Sequence, residues 1–331
     1  MQGSANMSIA ILGLAAYPRN SVWRNVELLV RSTRCQSPDT AIALLTAPLG
    51  DQDRRMFEQF GVEAIECVDS PPGRAQTRQA TVARRQAWIL ELYGRRHSLY
   101  RDFVRRRAES HFLLTDTRDV IVTAPLRTHA GVARLVLSQE DSSKTIADDN
   151  WNSQWVRAGY GETGLTAIGS RPILCAGTVF GPRDSVDGYL GAMSDEVHRV
   201  GVEMTRRIGD QPLHNHLAYT GKLPEFEIST AENGWMRAIG VMPFEAVPMD
   251  WERAQAVSAA SRCVILHQYD RHLASERMRR AIALVADLPQ RHWWRFDAYY
   301  RHGEGMLPRL LRPTLHVANV IKRRLGFTQC D

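Results

Sequence analysis

The chain has 331 residues, of which 44% are hydrophobic and 24% charged, ordinary globular usage that argues against a disordered chain and leaves length for a sizeable core. Its formal net charge of +6 is concentrated at one end: residues 291–331 carry eight Lys/Arg against three Asp/Glu, so the body is nearly neutral and no nucleic-acid partner is expected. Five scattered cysteines without a CxxC pair argue against a disulfide scaffold and a cysteine zinc site, and favour a reducing, cytoplasmic setting.

The apolar run Ser8–Leu14 reads as a buried parallel strand rather than a secretory signal, because no basic segment precedes it. Asn20 is placed to cap a helix through about Arg34, Thr40–Leu45 reads as a second strand, Asp51–Phe60 as a helix and Val62–Cys67 as a third strand. Arg74–Glu109 predicts one or two arginine-rich helices with Trp88, Ile89, Leu92 and Tyr93 turned inward. His111–Val120 is an apolar strand running into acids, and Arg134–Gln139 is another strand, ending at Glu140 and Asp141. Arg171–Cys175 is a further strand followed by Ala176-Gly177-Thr178, then a helical stretch from Pro182 to Arg207 and a short helix starting at Asp210. Phe226–Ser229 and Trp235–Ile239 predict a hairpin around Asn233-Gly234, and Cys263–Leu266 a last strand ending at His267. Strands alternating with helices predict an α/β fold. No apolar run is long enough to span a bilayer.

Chemistry concentrates at strand ends, where open α/β sheets bind ligands. Asp116 and Asp119 stand where the chain leaves a buried strand, so their carboxylates are suited to a hard divalent cation, Mg²⁺ or Mn²⁺, that clamps phosphate oxygens. The competing reading is local: Asp116 caps the next turn and Asp119 pairs with Arg118. His267 ends another strand and is a candidate third ligand for the same ion. His214 and His216 are two residues apart on a helix and point different ways, which argues against a shared metal. HExxH, GxSxG, Walker A and GxGxxG motifs are absent from the sequence. His97, His129, His198 and His292 read as structural.

Phe112-Leu113-Leu114-Thr115-Asp116-Thr117-Arg118-Asp119-Val120, Cys175-Ala176-Gly177-Thr178-Val179-Phe180-Gly181, Gly209-Asp210-Gln211 with Asn215, and Ile265-Leu266-His267 follow one another in an order that resembles the GT-A-type nucleotide-sugar glycosyltransferases, in particular glycogenin-like and lipopolysaccharide-type enzymes. The resemblance spans roughly residues 7–288 in motif order. It implies a GT-A-like fold, a Rossmann-like mixed sheet flanked by helices over residues 7–290, with a basic helical appendage at 291–331. It also implies a nucleotide-sugar donor, a glycan or lipid-linked acceptor, a divalent metal held by Asp116, Asp119 and His267, and donor contacts from Asp116, Arg118, Gly177 and Thr178. Asp210 and Gln211 would face the sugar, the first orienting hydroxyls or acting as base, the second supporting the reacting carbon. The departure is Arg118, which stands where a strict DxD has its second acid. Asp119 then supplies that carboxylate, or Asp116 and His267 suffice with waters, or Arg118 neutralises the diphosphate without metal.

Tyr17, after the first strand, is a candidate to stack on the nucleotide base, and Glu140 and Asp141 are rival candidates for the acceptor-activating base. The tail interleaves basic and apolar residues, which suits either docking of the apolar residues on the domain with the charges facing water, or peripheral contact with the inner face of a membrane. Two other functions fit parts of the pattern: a nucleotidyltransferase acting on sugar phosphates, and a non-catalytic nucleotide-sugar-binding protein.

Overall fold

A computed structural model describes residues 8–16, 22–67, 78–129, 131–232, 234–242, 249–250, 255–256, 263–273 and 275–288. Tyr17, Asn20, Asn233 and the basic appendage from residue 291 lie outside them.

The first part of the chain alternates as its apolar runs predict: β1 (Ile9–Ala15), α1 (Val22–Gln36), β2 (Ala41–Thr46), α2 (Asp51–Gln59), β3 (Val62–Glu66), α3 (Arg78–Arg105) and β4 (His111–Thr115). Every residue of β1 is buried because β2 and β4 flank it, both parallel to it. Helix α1 buries Val22, Trp23, Val26, Leu29, Val30 and Thr33, a stripe at helical spacing. Its first turn is capped from outside: the carboxylate of Asp53 on α2 accepts from the amides of Val22 (3.0 Å) and Trp23 (3.1 Å), a contact of about 1 kcal/mol.

From β4 the chain enters a short strand, β5 (Val120–Val122), then β6 (Leu135–Gln139), the kinked helix α4 (Asn150–Ile168), β7 (Leu174–Pro182), α5 (Arg183–Val200), α6 (Val202–Ile208), α7 (Gln211–Tyr219) and β8 (Phe226–Ser229). Next come β9 (Met236–Ala238), the small pair β10 (Met249–Asp250) and β11 (Gln255–Ala256), β12 (Ile265–His267) and α8 (Glu276–Val285). The main sheet has seven strands in the order β3-β2-β1-β4-β7-β6-β8. It is mixed: β7 runs antiparallel to both neighbours, β4 and β6, whereas the β1–β4 half is parallel. A second sheet has the order β5-β12-β9.

Alternate residues along the strands feed two cores, one on each face. Ala10, Leu12, Phe112 and Leu114 pack with Trp88, Leu92 and Phe103 of α3 and Leu190 of α5. Ile9, Ile11 and Leu113 pack with Val26, Leu29 and Val30 of α1 and with Ile265 of the second sheet. A third core joins Ile121, Leu266 and Tyr269 to Met278 and Ile282 of α8.

Three sequence expectations are corrected. Phe226–Ser229 and Trp235–Ile239 form no hairpin: β8 pairs with β6 in the main sheet and β9 with β12 in the second. Ala176, Gly177 and Thr178 do not follow a strand but lie inside β7. The stretch 182–207 is two helices, broken at Gly201. Among the described residues, no helix is long and apolar enough to cross a membrane.

Candidate functional site

The chain goes from β1 to β2 on one side and returns to β4 on the other, so the sheet reverses its direction of growth between β1 and β4. Such a switch point opens a crevice at the carboxyl ends of the strands. A cleft of about 300 Å³ lies there, lined by Leu14, Arg96, residues 116–119, residues 175–177, Asp210, Gln211, His267 and Gln268.

One wall is built by the short path from β4 to β5. Thr117 donates to the Leu14 carbonyl (2.9 Å), and the Asp116 amide donates to the Gly177 carbonyl (2.8 Å), which pins the loop against β1 and β7. Strand β5 then pairs antiparallel with β12, His267 opposite Val120, and the Gln268 amide donates to the Asp119 carbonyl at 2.8 Å. That register carries His267 to the two aspartates although they are far apart in sequence. Nε2 of His267 lies 3.4 Å from Oδ2 of Asp116 and 3.7 Å from Oδ2 of Asp119. The ligand atoms of all three residues lie within 4.8 Å of one another, a group that can hold a metal ion. Asp119, rather than position 118, supplies the second carboxylate of this group.

Three features fit a cation here. Nε2 of His267 is buried and has no hydrogen-bond partner. Its other nitrogen, Nδ1, meets Sγ of buried Cys175 at 3.3 Å, which fixes the ring and leaves Nε2 facing the carboxylates. Gly177 makes the third: a Cβ there would strike His267 and lie 2.7 Å from Oδ2 of Asp116, so a side chain at 177 would close the space between them. Burial opposes a charged His267, but Cys175, Asp119 and Asp116 outweigh it and hold the imidazole well above its ordinary pKa. Burial likewise opposes the charged Asp116, yet His267, Arg96 and Arg118 hold that carboxyl below its usual range. Burial raises the pKa of Asp119. A cation bound by these three groups displaces the proton on the imidazole.

The opposite wall is the start of α7. Gly209, at φ +74°, turns the chain out of α6 so that Asp210 and Gln211 reach the cleft. The Asp210 side chain does not cap α7. It pairs with the guanidinium of Arg96, which also lies 3.8 Å from Asp116 and thus spans the two walls. His97 stands behind, with Nε2 3.7 Å from Asp210. The Gln211 amide nitrogen donates to Asn152 of α4 (3.0 Å) and to Glu140 at the end of β6 (3.3 Å). With its amide hydrogens engaged, the Gln211 side chain, which lines the cleft, keeps its side-chain carbonyl oxygen as the group with which to meet a ligand. Asn215, one turn on, bonds both backbone groups of Leu174 and donates to the backbone carbonyl of Gln211, locking α7 to β7.

The remaining sequence candidates fall into place around this cleft. Glu140 is buried behind Gln211 and does not line the cleft; burial raises its pKa, against the pull of Gln211 and Arg271. Asp141 turns away to accept from the Ser143 amide at 2.9 Å. Thr178 is fully buried, its hydroxyl 2.6 Å from that of Ser138, so it lies in the sheet rather than on the cleft. Gly177 does line it. Arg118 is half exposed at the rim, 3.3 Å from Asp270. His214 and His216 diverge, the first toward Tyr189 and the second stacked on Tyr160. Sequence reasoning missed Arg96, Cys175, Asn152 and Gln268, and it left His97 as structural. Arg96 and His97 are hidden among the arginines of α3; a polar pair beside the apolar stripe was the available signal.

Comparison with known proteins returned no matching family model and no significantly similar curated protein.

Proposed function

We propose that the chain is a glycosyltransferase that moves a sugar from a nucleotide-sugar donor to a hydroxyl acceptor, with Mn²⁺ or Mg²⁺ held by Asp116, Asp119 and His267. The observation that carries this reading is one cleft with two unlike walls: a two-carboxylate, one-imidazole group on one, and a carboxylate–amide pair, Asp210 and Gln211, on the other. The mixed sheet, its switch point and the positions of the four motifs support the GT-A resemblance.

A divalent cation supplies positive charge beside the departing diphosphate. The chain's own residues do the rest. Arg118 at the rim adds a forked donor for phosphate oxygens. Arg96 holds the Asp210 carboxylate in place, so that it orients sugar hydroxyls. Glu140 and Asn152 hold the Gln211 amide so that its oxygen faces the carbon where positive charge develops; both act through Gln211. The acceptor hydroxyl then attacks the sugar carbon as its bond to the diphosphate breaks, and the hydroxyl proton passes to the departing diphosphate oxygen. Such an enzyme suits the cytoplasmic assembly of bacterial surface glycans, with the basic appendage touching the membrane.

The test is a thermal-shift screen of the full chain against nucleoside diphosphates with and without Mn²⁺, followed by incubation with nucleotide sugars. A ligand bound to the folded state alone raises the melting temperature. The expected result is a diphosphate shift that requires Mn²⁺ and a slow release of sugar from one donor. Pyrophosphate release from a nucleoside triphosphate and a sugar phosphate would assign a nucleotidyltransferase instead. Donor binding without turnover, with or without an acceptor, would assign a binding protein.

A further inference from the structure

Gln268 follows the candidate ligand His267 and lines the cleft. Among the described residues it is one of two other than glycine with a positive φ, at φ +63° and ψ +28°. The second, Asp287, follows the end of α8, where a left-handed residue is common. Gln268 lies instead between β12 and a single turn, Tyr269–His272, where a side chain in the left-handed region costs energy. Its contacts show what that backbone achieves. The main-chain amide donates to the Asp119 carbonyl at 2.8 Å, and the side-chain oxygen Oε1 accepts from the Gly240 amide at 3.2 Å. With Oε1 held in this way, the side chain keeps two N–H donors on Nε2, and among the described residues nothing accepts from them. Gln268 is only 7% exposed, so these donors have little water to turn to outside the cleft.

Gly240 holds a second side chain beside the first. It follows β9, which runs parallel to β12. A Cβ at 240 would lie 2.5 Å from Oε1 of Gln268 and 2.7 Å from Nη1 of Arg271, so both side chains close over the space that the glycine leaves open. Arg271 is exposed, and among the described residues no carboxylate pairs with it: Asp270, its neighbour in sequence, pairs with Arg118. Glu140, behind the opposite wall, feels the Arg271 charge, so the field of this guanidinium extends across the cleft. A neutral N–H pair and a forked cation on one glycine, next to a group suited to a divalent ion, match a ligand with several anionic oxygens. A phosphoryl group has them; a lone hydroxyl leaves the guanidinium unmatched.

We propose that Gln268 and Arg271, seated on Gly240, form a clamp for phosphoryl oxygens. The inference rests on the transferase reading for the source of that group, which is the diphosphate of the donor beside the ion. A phosphate carried by the acceptor is the other source of the same chemistry.

The experiment titrates the full chain with Mn²⁺ present, by calorimetry, for wild type, Gln268→Glu and Arg271→Gln. The probes are the adenosine, guanosine, uridine and cytidine diphosphates, then inorganic phosphate, alone and on the diphosphate-loaded protein. Q268E keeps the size of the side chain and an oxygen for Gly240 but replaces the N–H donors with a carboxylate; R271Q removes a charge at an exposed position. The expected result is that Q268E weakens the best diphosphate at least tenfold and R271Q about fivefold. R271Q decides alone if Q268E does not fold. Unchanged diphosphate affinity with loss of phosphate binding to the loaded protein keeps the clamp and assigns it to the acceptor. Variants that bind both probes as wild type does, or a wild type that binds neither, overturn the clamp. If wild type binds phosphate through these two residues but no diphosphate, the clamp stands and the transferase reading fails.

Discussion

On one wall of the cleft, two carboxylates and an imidazole face one another, and the imidazole nitrogen between them has no hydrogen-bond partner. On the other wall, Asp210 is paired with Arg96, Gln211 is bonded to Glu140 and Asn152, and Asn215 satisfies its own amide three times over. The first wall leaves a buried nitrogen unpartnered between ligand-type groups, the arrangement that the proposed cation would use, whereas the polar side chains that reach the cleft from the second wall hold one another. The contrast teaches where each residue's worth lies. Removing a group from the first wall takes a ligand from the proposed ion and one of several partners from its neighbours. Removing one from the second strands a buried partner.

The sharpest way to break this contrast is to neutralise one aspartate on each wall. Asp116→Asn is expected to lower transfer by about 10³-fold or more, because charge beside the leaving group is lost. Its melting temperature falls less than that of the second-wall variant, since the Asp116 side chain is 43% exposed and His267 keeps Asp119 beside it. Asp210→Asn is expected to lose activity as well, but also about 2 kcal/mol of stability, because Arg96, with a side chain 10% exposed, is left with a weaker partner. Turnover and denaturant midpoint measured together separate the two. Equal stability losses would mean that the walls do not differ in kind.

Next in size is Gly177→Ala. The backbone at 177 is not in the left-handed region, so the cost is steric: the methyl group enters the space between His267 and Asp116. Mn²⁺ affinity, read by the thermal shift with diphosphate present, is expected to fall about 100-fold. An unchanged Mn²⁺ titration would show that the ion, if it binds, sits elsewhere.

These two tests bear on residues of different legibility. The parallel half of the sheet was readable, because β1, β2 and β4 are buried on both faces and therefore appear as unbroken apolar runs. Asp116, Asp119 and His267 could be read as strand-end groups, but their meeting could not: it depends on His267 pairing with Val120 in a three-residue strand, β5, that local pattern does not announce. Helix α4 was missed because its residues are of mixed polarity without an apolar stripe, and Asn152 was lost with it. The hairpin expected at Asn233-Gly234 failed because turn chemistry fixes a local bend, whereas partner strands are chosen by the cores they enter. Glu140 was placed at a strand end correctly, but burial behind Gln211 is a tertiary fact.

A smaller effect sharpens the second wall. Gln211→Ala is expected to lower kcat by about 10- to 100-fold with little change in donor KM, the pattern of an interaction made mainly in the transition state. Asn152→Ala, which loosens the same amide, is expected to lower kcat by about threefold to tenfold. A rise in KM at constant kcat for both variants would make Gln211 a donor-binding residue.

The smallest expected effect lies behind that wall and concerns its completeness rather than its chemistry. His214 is fully buried with Nδ1 2.9 Å from the Tyr189 hydroxyl, and burial lowers its pKa to about 3. In the unfolded chain the same imidazole takes up a proton near pH 6.5. The unfolded state therefore binds more protons throughout the window from about 6.5 down to about 3. The contribution of this histidine to stability is full above that window and is lost progressively as pH falls through it. The slope is about 1.4 kcal/mol per pH unit for one proton. His214→Gln keeps a polar group for Tyr189 and removes the titration. It shifts the level of stability by an amount that depends on packing, but the slope between pH 6 and 5, set by about one proton, is independent of that shift. Chemical denaturation at several pH values is expected to show the variant losing stability less steeply than wild type by that amount. Parallel slopes would mean that His214 gains its proton in the folded state, so that the wall opens to water as pH falls.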